Sequence, residues 1–159
     1  DQIADVIRQD GITDFLVEIG GEVFAAGYRL DGEKWKIGIN RPQASAAYNA
    51  VYKVLTLHDQ AMATSGDYRN FFEANGKRYS HVMNPRTGYP VSNGVVSVSI
   101  TAPNCTLADG LATAIMVMGP EKGIALIDTL DRVEGLVIVQ ADDGSLHDHF
   151  SRGFESVKP

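Results

Sequence analysis

Apolar and polar positions alternate along most of this chain, and helical spacing is confined to three stretches. Ile3, Val6 and Ile7 recur at helical spacing within Asp1 to Gln9, and Gly11 follows as a stop, so the first element is predicted to be a helix. Phe15, Val17 and Ile19 then alternate with Leu16 and Glu18 on a predicted strand. Gly20-Gly21 separates it from a second strand over Glu22 to Tyr28. Asp31-Gly32 signals a hairpin turn into a strand on which Trp35, Ile37 and Ile39 alternate. Pro42 to Ala47 reads as loop, and strands are predicted near Ala50–Thr56 and His58–Thr64.

Asn75-Gly76, the strongest short hairpin signal in the sequence, joins Tyr68–Ala74 to Lys77–Val82. Val95–Thr101 is a β-branched strand. Residues Asn104–Met118 read as a helix with Leu107, Leu111, Ile115 and Met118 as its apolar stripe, closed by Gly119-Pro120. Glu121–Leu130 is the third helix, and Gly135–Ala141 and Leu146–Phe150 form a last hairpin around Asp143-Gly144. The order is helix, many strands, two helices, then strands. It predicts an α+β fold with an antiparallel or mixed sheet.

Composition changes this picture little. The 159 residues suffice for one domain with a sizeable core, here taken as 1–159. Hydrophobic residues at 44% and charged residues at 21% argue against disorder. No apolar run is long enough for a transmembrane helix. The net charge of -6 argues against nucleic acid as a partner. The lone Cys105 leaves no internal disulfide. The chain opens at Asp1 with no Met and no signal peptide, inside a predicted helix, a start that a mature chain or a cleaved fragment would show.

Three segments concentrate chemistry. In Glu18-Ile-Gly-Gly-Glu22, two adjacent glycines permit either a close backbone approach to a ligand or simply a tight turn. In Ser80-His-Val-Met-Asn-Pro-Arg-Thr-Gly-Tyr-Pro90, a strand runs into a Pro- and Gly-braced loop. His81 is a candidate general base, and Arg86 a candidate anion holder or a loop cap. In Ala102–Thr113, Asp109 and Thr113 stand four apart on one helical face. A carboxylate and a hydroxyl there are hard oxygen ligands suited to Mg2+. The alternative reading makes Thr106-x-x-Asp109 a capping box and lets Thr113 bond the carbonyl one turn back.

Together the segments Phe15-Leu-Val-Glu-Ile-Gly-Gly-Glu22, Ala63-Thr-Ser-Gly-Asp-Tyr68, Tyr79-Ser-His-Val-Met-Asn-Pro-Arg-Thr-Gly-Tyr-Pro-Val91 and Ala108-Asp-Gly-Leu-Ala-Thr-Ala114 resemble the ApbE family of FAD:protein FMN transferases, in order and spacing. The resemblance implies a T-fold-like architecture whose N-terminal part is missing here. It implies an enzyme that moves FMN from FAD to a Thr or Ser hydroxyl of a target flavoprotein and releases AMP. It further implies Mg2+ held by Asp109 and Thr113, catalysis by His81, and FAD contacts from Met83, Arg86, Gly20 and Gly21.

Family members are about twice this length and many are periplasmic lipoproteins, so the resemblance also implies that location and association with a missing half or another copy. The residues 1–159 alone are then expected not to turn over FAD. Asn84 stands where many members have Asp, and Ala112 where some carry an additional Asp near the metal. Two further readings accompany this one: an FAD pyrophosphatase yielding FMN and AMP, and a flavin-binding or partner-pairing module without catalysis.

Overall fold

A computed structural model describes residues 1–159 except 44, 45, 48, 49, 69, 70, 75, 76 and 156–159. Among the described residues the chain forms α1 (Gln2–Gln9), β1 (Phe15–Ile19), β2 (Glu22–Ala26), β3 (Trp35–Asn40), β4 (Val51–Leu57), β5 (Gln60–Gly66), β6 (Phe71–Ala74), β7 (Lys77–Ser80), β8 (Val95–Ala102), α2 (Cys105–Met118), α3 (Pro120–Ile127), β9 (Glu134–Gln140) and β10 (Leu146–Phe150). The main sheet runs β1-β2-β5-β8-β9-β10, with every neighbour antiparallel. The expected α+β class with an antiparallel sheet is what the chain adopts.

The sheet is covered on both faces, and the period-two pattern shows how. Val23 and Ala25 of β2 face a layer made by the β3–β4 pair, where they meet Ile39, Leu55 and Leu57. Phe24 and Ala26, their neighbours, face the helices and pack with Ala4 of α1. β8 lies mid-sheet with both faces covered, so all eight of its residues are buried. Val98, Ile100 and Ala102 meet α2 and α3, while Val96 faces the β3–β4 layer. A register shift between Val95 and Ser97 lets Val96 and Val98, two residues apart, serve opposite faces.

α2 sits close on this sheet. Its buried line is Ala108, Ala112, Ile115 and Met116, with Leu111 partly buried beside them. Of the expected stripe, Ile115 is fully buried and Leu111 partly so. Leu107 and Met118 are 39% and 38% exposed, because the small Ala108 and Ala112, not the large residues, carry the contact with Ala63 and Ala102. α1 departs in the same way. Ala4 is buried, Ile7 is partly so, and Ile3 and Val6 stay 50% and 58% exposed.

The Asp31-Gly32 turn forms, with the Gly32 amide donating to the Arg29 carbonyl at 2.9 Å. It does not make a hairpin of its flanking strands. β2 pairs with β1 and β5, whereas β3 crosses to the other layer and pairs with β4. Trp35 fixes that crossover by donating its indole N–H to the Ala26 carbonyl at 2.9 Å. β6 and β7 form their expected hairpin, but its Asn75-Gly76 turn lies outside the described residues.

The β3–β4 layer is tied to the far edge of the sheet by polar contacts. Tyr52 donates to Asp148 Oδ1 at 2.9 Å, and Lys53 Nζ lies 2.9 Å from Asp148 Oδ2. Burial first, then the hydrogen bond and charge of Asp148, push the Tyr52 hydroxyl up from 10.0 to about 12. The folded value lies above the unfolded one, so this contribution is complete below pH 10 and is lost as pH rises through about 12. Melting curves collected across that window are expected to show a pH-dependent loss that is smaller in Tyr52→Phe. Equal slopes in the two proteins would contradict the assignment.

Candidate functional site

The amino end of α2 is held by residues far apart in sequence. Asn104 is the N-cap, and its Oδ1 accepts from the Leu107 amide at 2.8 Å. The Asp1 carboxylate accepts from the Cys105 amide at 2.7 Å, the Thr106 amide at 3.0 Å and the Thr106 hydroxyl. An anion at a helix amino terminus is favourably placed in the helix field. These contacts occupy the first turn, and they overturn the capping-box reading of Thr106-x-x-Asp109. The Thr106 hydroxyl is turned to Asp1, and Asp109 is exposed on the next turn.

Thr113 also departs from its bland reading. Its hydroxyl shares a hydrogen bond with Ser65 of β5 at 3.1 Å. Residues 61, 63 and 65 of β5 face the helices, which brings Ser65 beneath α2. On the opposite face of β5, Thr64 hydrogen-bonds Ser99 at 2.8 Å. The Ala63-Thr-Ser-Gly66 segment therefore presents one hydroxyl to each side of the sheet. Ser65 was not singled out from the sequence, since only the pairing of β5 with α2 reveals its partner. Gly110, the residue after Asp109, has open space where a side chain would stand.

Asp109 lines a cavity of about 300 Å3 together with Asp1, Glu22, Cys105 and Thr106. Burial pushes the Cys105 thiol up, and the Glu22 and Asp109 carboxylates push it up further. Cys105 is thereby kept protonated near neutrality, which suits neither a nucleophile nor a thiolate ligand. Its sulfur donates toward the Val23 carbonyl at 3.5 Å.

Gly20 and Gly21 have φ of 68° and 106°, and they close a two-residue turn between paired Ile19 and Glu22. Positive φ at both positions is the requirement that glycine meets. The tight-turn reading is therefore real. The two glycines also line a larger cavity of about 680 Å3 on the other face of the sheet, with Thr64, Tyr68, Lys36 and Asn40.

His81, Met83 and Arg86 line neither of these cavities. They stand on the loop after β7, and all three are exposed. The loop is a small hairpin in its own right. Val91 N–H donates to Val82 C=O at 2.9 Å, Asn84 N–H to Tyr89 C=O at 2.9 Å, and Met83 bridges to Pro90. Asn84 Oδ1 accepts from the Arg86 amide at 2.9 Å. The Asn thus accepts in the loop as an Asp carboxylate would.

The donors near Asp109 are oxygens. Among the described residues no group of three or more His, Cys, Asp or Glu side chains converges as a metal cage. A carboxylate and hydroxyls alone fit a hard cation that keeps most of its coordination for water and phosphate.

A protein-family model described as the ApbE family matches residues 1–137. An FAD:protein FMN transferase of Vibrio cholerae is 46% identical over 144 residues, covering 91% of this chain and 42% of that protein. The solved flavin transferase ApbE from Vibrio cholerae superposes with a TM-score of 0.81 at 42% identity, over 97% of this chain and 47% of that one. The apo flavinyl transferase ApbE of Pseudomonas stutzeri superposes with a TM-score of 0.79 at 36% identity, over 96% and 46%. The chain spans less than half the length of these relatives. On the family match and these identities, the chain belongs to the ApbE family.

Proposed function

We propose that the complete protein transfers FMN from FAD to a Thr or Ser hydroxyl of a target flavoprotein and releases AMP. The observation that carries this reading is the state of Asp109. It is exposed, leaves helix capping to Asn104 and Asp1, and shares its helix face with a Thr113 held by Ser65. Membership of a family whose relatives are named FAD:protein FMN transferase supports FAD as donor and a protein as acceptor.

Asp109 and Thr113 would hold Mg2+, with Ser65 orienting the Thr113 hydroxyl through their hydrogen bond. Bound Mg2+ supplies charge neutralisation at the pyrophosphate of FAD. The acceptor oxygen attacks the FMN phosphorus. The bond from that phosphorus to the bridging oxygen breaks, and the oxygen leaves with AMP. The His81 imidazole takes the hydroxyl proton. Little covalent chemistry falls to the protein, so positioning and electrostatics dominate. Gly20, Gly21, Met83 and Arg86 would contact FAD, the glycines through backbone and Arg86 through charge. A periplasmic lipoprotein location belongs to the same proposal and is supported by the resemblance alone.

The complete protein incubated with FAD, Mg2+ and a Thr-containing target peptide is expected to add the mass of FMN to the peptide. Free FMN and AMP with an unmodified peptide would establish FAD hydrolysis instead.

Asp109→Ala is expected to lower the Mg2+-dependent rate by on the order of a hundredfold or more. Its melting temperature should change little, because Asp109 caps nothing. Retained activity with normal Mg2+ dependence would remove Asp109 from the metal site.

His81→Ala is expected to lower kcat by about 10²–10⁴-fold with a smaller effect on the KM for FAD. Unchanged kcat would exclude His81 as the base.

A further inference from the structure

The chain has 4 histidines. His58 stacks against Tyr28 with 4.3 Å between ring centroids, and His81 stands on the loop after β7. The other two, His147 and His149, stand two apart on β10 and take no part in the chemistry proposed above. The face they share is set by their neighbours. Leu146 packs against the β3–β4 layer, Asp148 is held there by Tyr52 and Lys53, and Lys53 Nζ lies 5.4 Å from the centre of the Phe150 ring. Alternate residues of a strand point to opposite faces. His147 and His149 therefore project together from the helix side of the sheet, next to their register partners Val139 and Val137 of β9.

The pair is open to a hydrated ion. Among the described strands β10 is the end of the main sheet and pairs with β9 alone. His147 is exposed and His149 half-buried. Residues two apart on a strand have Cα atoms about 6.8 Å apart. Two imidazole nitrogens bound to one ion at about 2.0–2.1 Å stand about 3 Å from each other. Each ring then has to lean inward by about 2 Å, which side-chain rotation supplies.

The donor atoms are also defined. His147 Nε2 lies 3.1 Å from Ser145 Oγ. If the hydroxyl accepts from this nitrogen, the neutral ring keeps its lone pair at Nδ1. If the hydroxyl donates, the lone pair is at Nε2, and an ion takes the place of Ser145. Asp148 is no ligand, because it points to the other face and is engaged by Lys53 and Tyr52. Among the described residues no third His, Cys, Asp or Glu converges with the two imidazoles. Nitrogen donors suit Zn2+, Ni2+ and Cu2+, whereas Mg2+ prefers oxygen and gives up water reluctantly.

We propose that His147 and His149 chelate one transition-metal ion of the Zn2+, Ni2+ or Cu2+ class, each through one imidazole nitrogen, with water in the remaining positions. This site is separate from the oxygen ligands proposed around Asp109. It stands whether or not the complete protein transfers FMN, because it uses none of the same residues.

The first test is calorimetric titration of the complete protein with Ni2+ in a non-coordinating buffer. His147→Asn and His149→Asn are each expected to weaken binding by about tenfold or more, since either change turns an intramolecular second contact into none. Asp109→Ala should leave the Ni2+ affinity unchanged. The second measurement needs no variant. Substoichiometric Cu2+ added to the nitrogen-15-labelled protein is expected to broaden the amide signals of Leu146–Phe150 first, and Mg2+ at the same concentration should leave them unmoved. Equal Ni2+ affinity in the unaltered protein and both histidine variants overturns the proposal. A loss in only one of the two variants overturns the chelate. Cu2+ broadening that begins at His58 or His81 with β10 unchanged overturns the site altogether.

Discussion

The close seat of α2 on β5 and β8 is the contact on which the candidate site depends. Ala108 and Ala112 lie fully buried against Ala63 and Ala102, and such small residues let helix and sheet approach closely. This proximity brings the Thr113 hydroxyl within 3.1 Å of Ser65 and leaves Asp109 at the rim rather than in the core. A larger side chain at 108 or 112 would have to be accommodated in a close-packed interior. On the other side, Gly123 of α3 approaches so near that an added Cβ would stand 2.4 Å from Ile115 Cγ2. The helix is therefore fixed from two directions, as a pair of ligands must be if phosphate is to be positioned well.

Electrostatics at this end of the fold serve the same geometry. The Asp1 carboxylate lies at the amino terminus of α2, and Asp109 and Glu22 share a cavity with it. A concentration of carboxylates repels an anionic dinucleotide and attracts a divalent cation. The proposed metal would reconcile such a rim with the pyrophosphate substrate proposed for the complete protein. The net charge of -6 is thus compatible with the proposed chemistry, because a local ion, not the whole-chain charge, would govern the site.

Much of this was legible in the residues. Alternation located the strands, Gly20-Gly21 marked a turn, and Asp109 and Thr113 were placed on one helical face by their spacing. What the sequence could not carry was nonlocal. Asp1 caps a helix that begins 104 residues later, so a local capping box was the natural reading of Thr106 and Asp109. The apolar stripe of α2 was assigned to its bulky residues, whereas close approach favours alanine at the contact. Asp31-Gly32 declared a turn but not which strands would pair, because the crossover is decided by the tertiary burial of Ile39, Leu55 and Leu57. Asn84 stands where many family members have Asp. Its side-chain oxygen accepts the Arg86 amide.

In the proposed function, α2 presents Asp109 and Thr113, with Ser65 behind them, to a divalent cation. Titrating Mn2+ in place of Mg2+ into the nitrogen-15-labelled complete protein with FAD tests it most directly. The amide signals of Asp109, Thr113 and Ser65 are expected to broaden first, at substoichiometric Mn2+. Early broadening around other acidic residues, such as Asp142 and Asp143, with these three unchanged would contradict it.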